Sequence, residues 1–368
     1  MDHKKRQRED MINRLLIAVI IGLLTIGLIP AAYLQTHSEA ATNTLADSFG
    51  RQVKVSTDIE RIACLYAFTG HVVAMLGRGD DIVAVSNGLQ RDVLLTTLYP
   101  AIRKALVPYF QGAVNIEELA KAKPDIVFVS AETGRNSAET AKLDACGLTW
   151  LVIDFHSMEQ QQQAIALIGQ AIGASEKAAV YNSYYRSCIS RAAQGTAPIP
   201  PEIRARVYHA TNEPTRTSPR QSLPEDWIRA AGLINVASQE SPRLFDGRHH
   251  VSIEQILLWN PDVILANEPG VAASIQESPA WGAIAAVRNG CVHQLPIGIS
   301  RWGHPGSLET PLAILWTVKT VYPERFMAVD IHSEIGFFYK TFFNYDLSEE
   351  IIEQILSGRG MRLTKSRK

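Results

Sequence analysis

VNIEELAKAKPDIVFVS (residues 114–130) and VSIEQILLWNPDVILAN (residues 251–267) are two copies of one pattern. Aligned without a gap, Val114, Ile116, Glu117, Pro124, Asp125 and Ile126 fall opposite Val251, Ile253, Glu254, Pro261, Asp262 and Val263. Each copy reads as a short helix, a Pro-Asp stop and an apolar strand. Proline cannot continue the helical ladder, and a short apolar run bounded by turn residues suits a buried strand. The copies lie about one domain's length apart, so the chain is expected to build the same unit in each of two lobes.

Working outward, Arg61–Leu65 and Asp81–Ser86 read as strands, with a helix from Phe68 to Leu76 between them. A hairpin opens the series over residues 47–55; a helix over Ser137–Cys146 and a strand over Trp150–Asp154 close it. Around the second copy, Arg206–Ala210 and Val292–Leu295 read as strands and Glu225–Ala231 as a helix. Helices are expected over Ser307–Val321 and from Ile331 to about Ser357, and Arg359–Lys368 reads as a frayed basic tail. Apolar strands alternating with helices predict parallel sheets covered on both faces.

From Met158 to about Ala193 the pattern is helical, broken once at Gly173–Ser175. Tyr181, Tyr184, Tyr185, Cys188 and Ile189 recur at i, i+3, i+4, i+7 and i+8, which is one buried face. The fold class that follows is α/β, two Rossmann-like α/β lobes joined by one long α-helix, with the ligand cleft between the lobes at the carboxyl ends of the strands. The plan is an export segment over 1–40, an N-terminal lobe over 41–157 and a helical connection over 158–194. A C-terminal lobe over 195–330 and a helical extension with a basic tail over 331–368 complete it.

Composition narrows the function. Of 368 residues 46% are hydrophobic, enough to bury a large core in each lobe. Lys plus Arg number 36 against 37 for Asp plus Glu, so the basic footprint of a nucleic-acid binder is missing. Lys4, Lys5, Arg6, Arg8 and Arg14 precede an apolar run from Leu15 to Leu34, and small residues follow around Ser38 and Ala40. That run reads either as a cleaved signal peptide or as a transmembrane helix left in place. Both readings put the rest of the chain outside the cytoplasm, in the periplasm or anchored to the outer face of the membrane. Cys64, Cys146, Cys188 and Cys291 are scattered, with no metal-binding pair. Export permits a disulfide, and Cys64 to Cys146 is the pairing expected.

These residues resemble a known family. The export segment, the two bridged lobes and the twice-used [NS]-I-E-x-[IL]-x4-P-D-[IV] motif are similar to the helical-backbone (class III) periplasmic binding proteins, the siderophore, haem and cobalamin receptors of ABC importers. Residues 281–296, WGAIAAVRNGCVHQLP, resemble the family's W-x-x-I-x-A-V run, and residues 307–326, SLETPLAILWTVKTVYPERF, resemble its closing helix and P-E-x-F tail. The likeness covers about residues 47–330. It implies a substrate-binding protein, not an enzyme and without a cofactor of its own, that captures an iron chelate such as a ferric siderophore. It also implies delivery, as a monomer, to the permease of an ABC transporter in metal transport. Haem, cobalamin, chelated nickel or an oxyanion are alternatives within the family; a metal-dependent chelatase-like enzyme is the alternative outside it. The resemblance further implies that Glu117 and Glu254 dock the permease, with Glu118 a near alternative in the first lobe. On spacing alone, a Glu near a helix start equally well complements the helix dipole.

Cleft residues are sought just after strands and in irregular segments. In the first lobe these are Tyr66, His71 and Arg91, and in the second Arg216, Arg243 and the segment Ser300–Ser307. Arg301 suits bidentate capture of an anion, Trp302 offers a flat apolar face, and His304 suits a hydrogen bond. Direct ligation of a metal by His304 or Tyr66 is the remaining expectation, set against ordinary packing roles for Trp302 and His304. The several arginines favour an anionic ligand.

Overall fold

The computed structural model describes Met11 and residues 41–363, apart from 111, 240–242 and 246–247. The apolar run Leu15–Leu34 lies outside the described residues; among those described, no helix is long and apolar enough to cross a membrane.

The first lobe is a six-stranded sheet ordered Ala113–Val114, Leu106–Phe110, Ile82–Ser86, Ile62–Cys64, Ile126–Ser130, Trp150–Ile153. All neighbours are parallel except the short edge strand Ala113–Val114. The second lobe is a parallel four-stranded sheet ordered Ile234–Asn235, Arg206–Ala210, Val263–Ala266, Val292–Gln294. In both, strand order reverses beside the first strand of the sheet in chain order: between Ile62–Cys64 and Ile126–Ser130, and between Arg206–Ala210 and Val263–Ala266. The reversal opens a crevice at the carboxyl ends of those strands, where open α/β sheets take ligands. The second strand of each pair is the strand of the sequence repeat.

The repeated helices start where the sequence places them. Asn115 accepts a hydrogen bond from the Glu118 amide at 3.1 Å, and Ser252 accepts one from Gln255 at 3.2 Å, so each helix is capped. The repeated aspartates tie neighbouring strands together. Asp125 accepts from the amides of Glu60 and Arg61 at 2.8 Å, and Asp262 accepts from Arg206 at 2.8 Å.

Side chains alternate between two apolar layers, as the period of two demands. Ile62, Cys64, Ile126 and Phe128 face one core; Ala63, Leu65, Val127 and Val129 face another. In the second sheet Val207, Val263 and Leu265 join that same first core, while Tyr208, Ala210, Ile264 and Ala266 face a third layer. The lobes therefore share a continuous central core with a separate apolar layer outside each sheet. This differs from two independent cores, because the helices between the lobes bury apolar surface from both.

Those connecting helices are Met158–Ala171 and Ser175–Thr196, turning at Gly173 (φ 70°). The 22 residues of the second span about 33 Å at ~1.5 Å per residue. The extension adds helices Ile331–Phe343 and Glu349–Ser357, separated at Asn344 (φ 49°) where a single helix was expected. Phe342 packs edge-on against Tyr181 of the inter-lobe helix with centroids 5.2 Å apart, an arrangement worth about 0.5–1.5 kcal/mol beyond area burial.

Two expectations need correction. Cys64 and Cys146 are not joined, and all four cysteines are free. Cys64 is fully buried in the central core, where burial pushes its thiol pKa up to about 12, whereas Cys146 is exposed at a helix end. The tail is not frayed as far as Leu363: Val93 donates its amide to Met361 O at 3.1 Å, and Leu363 donates to Arg91 O at 2.9 Å. Backbone pairing and the burial of Met361 hold these residues in place.

Candidate functional site

The crevice between the lobes contains a cavity of ≈ 60 Å³ whose lining includes Tyr66, His71 and Asp92 from the first lobe, Arg301 and His304 from the second, and Arg362 from the extension. Tyr66 directly follows the strand at the first switch point and precedes the helix Ala67–Val73. Its hydroxyl reaches the opposite lobe, since a methyl group added at Gly306 would lie 3.2 Å from it. Burial, then the nearby Asp154 carboxylate, raises the phenol's pKa, so Tyr66 keeps its proton.

Arg301 marks the second switch point. It donates to the side-chain oxygen of Asn212, just after Arg206–Ala210, and to the carboxylate of Glu268, just after Val263–Ala266. One guanidinium thus joins the ends of both strands, with its side chain 13% exposed. The loop that carries it is fixed from below by fully buried Glu309, which accepts from the Ser300 amide at 2.8 Å, the Ser300 hydroxyl at 2.9 Å and the Tyr339 hydroxyl at 2.7 Å. Burial raises the Glu309 pKa against the effect of these bonds. Gly298 is required beneath it, because a Cβ there would lie 2.0 Å from Glu309 Oε1.

His304 has a defined tautomer. The Gly306 amide donates to its Nδ1 at 3.1 Å. Burial, then Arg301, Arg216, His209 and His71, pushes its pKa well below the ordinary value. A neutral ring with Nδ1 accepting carries its proton on Nε2. His304 therefore offers an N–H, and binding a metal through Nε2 would require moving that proton to Nδ1 and breaking the Gly306 bond. His71 lies opposite, its Nε2 2.9 Å from Asp92 Oδ2 and its Nδ1 buried without a partner. Its pKa is lowered to about 3, chiefly by burial.

The remaining expected residues are placed elsewhere. Trp302 is fully buried in the central core and does not line the cavity. Arg91 donates Nε–H to Leu363 O at 2.8 Å, gripping the extension. Arg216 bridges by its backbone to His250, near enough for its charge to act on His304. Arg243 belongs to the strand Arg243–Phe245, and its side chain lies outside the described residues. Glu117 and Glu254 are both exposed at the first turns of the repeated helices, away from the cavity. Sequence reasoning did not find Asp92 or Arg362, since no local pattern links residues so far apart in the chain. Within reach were Ser300 and Ser307, whose hydroxyls pair at 3.0 Å. The helix expected from Ser307 begins at Thr310, and Ser307 lines the cavity, as its place in the cleft segment Ser300–Ser307 anticipated.

Comparison with known proteins bears on the site. A family model described as periplasmic binding protein matches residues 62–297. The molybdate-binding protein MolA of Haemophilus influenzae is 24% identical over 333 residues, covering 84% of this chain and 93% of that protein. Its molybdate-bound structure superposes with a TM-score of 0.75 at 23% identity, covering 83% of this chain and 99% of that one. A periplasmic solute binding protein from Veillonella parvula gives a TM-score of 0.72 at 26% identity, over 86% of this chain and 97% of that one. The Helicobacter pylori protein CeuE, in its nickel–histidine complex, gives 0.70 at 21% identity, over 86% and 99% respectively.

Proposed function

The chain belongs to the periplasmic binding protein family, the substrate-binding components of ABC importers, and we propose that it receives a small anionic metal species, with a tetrahedral oxyanion of the molybdate type as its first candidate. The observation that carries this reading is the donor set of the cleft. Arg301 sits at the switch point, His304 offers a neutral N–H, and Tyr66 keeps its hydroxyl proton. Donors held in place around a small buried cavity favour an anion, because each bond to a charged acceptor is about twice as strong as a neutral one. The ≈ 60 Å³ cavity is small beside the ~300–1,000 Å³ of sites for drug-sized ligands. The binding of molybdate by MolA supports the same choice.

A ferric chelate is the second reading. What favours it is a groove of ≈ 970 Å³ at the lobe junction, lined by His156 and Gln160 on one side and by Arg220, Glu225 and Arg229 on the other. In either case the receptor works outside the cytoplasm as a single copy, held at the membrane if its N-terminal segment is retained. Glu117 and Glu254 dock the permease. What supports this is that each glutamate is exposed in the first turn of its helix; Leu258, one turn beyond Glu254, is 79% exposed.

Tryptophan fluorescence of the purified chain, titrated with molybdate, tungstate, sulfate, ferric siderophores, haem, cobalamin and nickel–histidine, tests the reading. Quenching by molybdate or tungstate, with silence toward the chelates, is expected. A response to a siderophore alone would replace the first reading by the second, and silence throughout would overturn both.

A further inference from the structure

We propose that Arg362, carried into the cleft by the C-terminal extension, is a ligand-contacting residue and that Asp92 is its counter-ion when the cavity is empty; the proposal rests on the anion-receptor reading and extends it to a segment beyond the family match. After the helix Glu349–Ser357, Gly358 (φ 67°) and Gly360 (φ 72°) turn the chain sharply. Ile297 of the second lobe donates to Ile355 O at 2.9 Å, while Val93 and Arg91 of the first lobe bond Met361 and Leu363. The extension is thus a strap from one lobe to the other, and Arg362 is the residue it turns into the cavity.

An anchoring ion pair would account for part of this. Arg362 donates Nη1–H to Asp92, with the two side chains 10% and 2% exposed. Two facts are left over. The Nε–H of Arg362 is buried with no partner, although a guanidinium has five donors and an unmatched buried donor is costly. Burial, then the nearby Arg91 charge, lowers the Arg362 pKa to about 10, so the side chain stays charged at neutral pH while short of acceptors. Arg301, His304, Tyr66 and Arg362 all offer donors to the same small space. Only an occupant rich in acceptors completes that set. On this account Asp92 competes with the bound anion for Arg362, and His71, donating to Asp92, holds the carboxylate back.

Isothermal titration of the full chain with molybdate and tungstate tests the proposal, with circular dichroism confirming the fold of each variant. Arg362→Gln is expected to weaken binding about ten- to a hundred-fold, the scale of a charged hydrogen bond, and Arg362→Lys to recover part of it. Asp92→Asn is expected to tighten binding several-fold, but only while Arg362 is present. A thermodynamic cycle with the double variant isolates that dependence. Binding by Arg362→Gln within two-fold of wild type would overturn the assignment and leave the receptor reading intact. A gain from Asp92→Asn that persists in the Arg362→Gln background would reduce Asp92 to a simple repulsive charge and overturn the pairing. Failure of the wild-type chain to bind either oxyanion would remove the anion reading itself, and this proposal with it.

Discussion

The two copies of the repeat are alike in their scaffold and unlike in what surrounds them. Both cap a helix with a short polar side chain, both use the aspartate after proline to hold a neighbouring strand, and both expose a glutamate in the first turn. Both also bend through a left-handed residue before the proline, Lys123 (φ 45°) and Asn260 (φ 44°). The cavity residues share none of this symmetry. The first lobe brings a phenol, a histidine and an aspartate; the second brings an arginine and a histidine; a second arginine arrives from outside both. The two copies share the frame and its exposed carboxylates, while the unequal loops after the strands line the cavity.

The largest effect should fall on the pair of features the copies share outside the cleft. Reversing both charges, Glu117→Arg with Glu254→Arg, is expected to abolish solute uptake in whole cells with ligand affinity unchanged. Normal uptake would reduce both residues to helix-dipole partners. Exposed charges of this kind act on orientation and encounter more than on affinity.

Next comes the asymmetric element. Arg301→Gln is expected to cost about 2–3 kcal/mol in ligand binding, the scale of charge-assisted hydrogen bonds, measured by calorimetry. Loss of less than a factor of three would move the site away from the second switch point.

A smaller effect concerns pH. His209, buried in the second lobe, has its pKa lowered to about 4 by burial alone. The unfolded chain then binds a proton that the folded chain refuses, so stability falls as pH drops below the ordinary histidine value of ~6.5, until the folded value near 4 is reached. Between pH 7 and pH 5 His209 alone should cost about 2 kcal/mol, and His71 in the first lobe should act in the same direction. Chemical denaturation across that range should show a flatter profile for His209→Gln than for wild type. An unchanged slope would mean that His209 is solvated in the folded state.

The smallest effect lies in the repeat itself. Lys123→Asn is expected to raise stability by about 0.5–1 kcal/mol, and Asn260→Lys to lower it by more, because asparagine tolerates the left-handed conformation better than lysine and Asn260 Oδ1 also accepts from the Ala285 amide at 2.8 Å. Opposite signs in thermal melts would confirm that the two bends are equivalent; matching signs would show that tertiary contacts dominate one of them.

Much of this molecule was readable in its sequence. Apolar strands, Pro-Asp stops and a tyrosine-faced helix mark periodic local patterns, and the parallel α/β architecture follows from their alternation. Tyr66, Arg301 and His304 were within reach because each immediately follows a strand or sits in an irregular glycine-rich segment. Trp302 went the other way: its flat face serves the core, and nothing local separates an aromatic that packs inward from one that meets a ligand. The cysteines show the same limit, since spacing carries no information on which side of a sheet each thiol lies.

Sequence alone determined the lobes, their repeat and the edges of the strands, because hydrophobic period and turn chemistry act over a few residues. Tertiary structure alone decided which groups share the cavity. Asp92 and Arg362 meet through a strap that crosses from one lobe to the other, and His304 acquires its tautomer from a neighbouring amide once the loop is folded. Charge, burial and proton position depend on three-dimensional neighbours, and those are set by the packing of the whole chain.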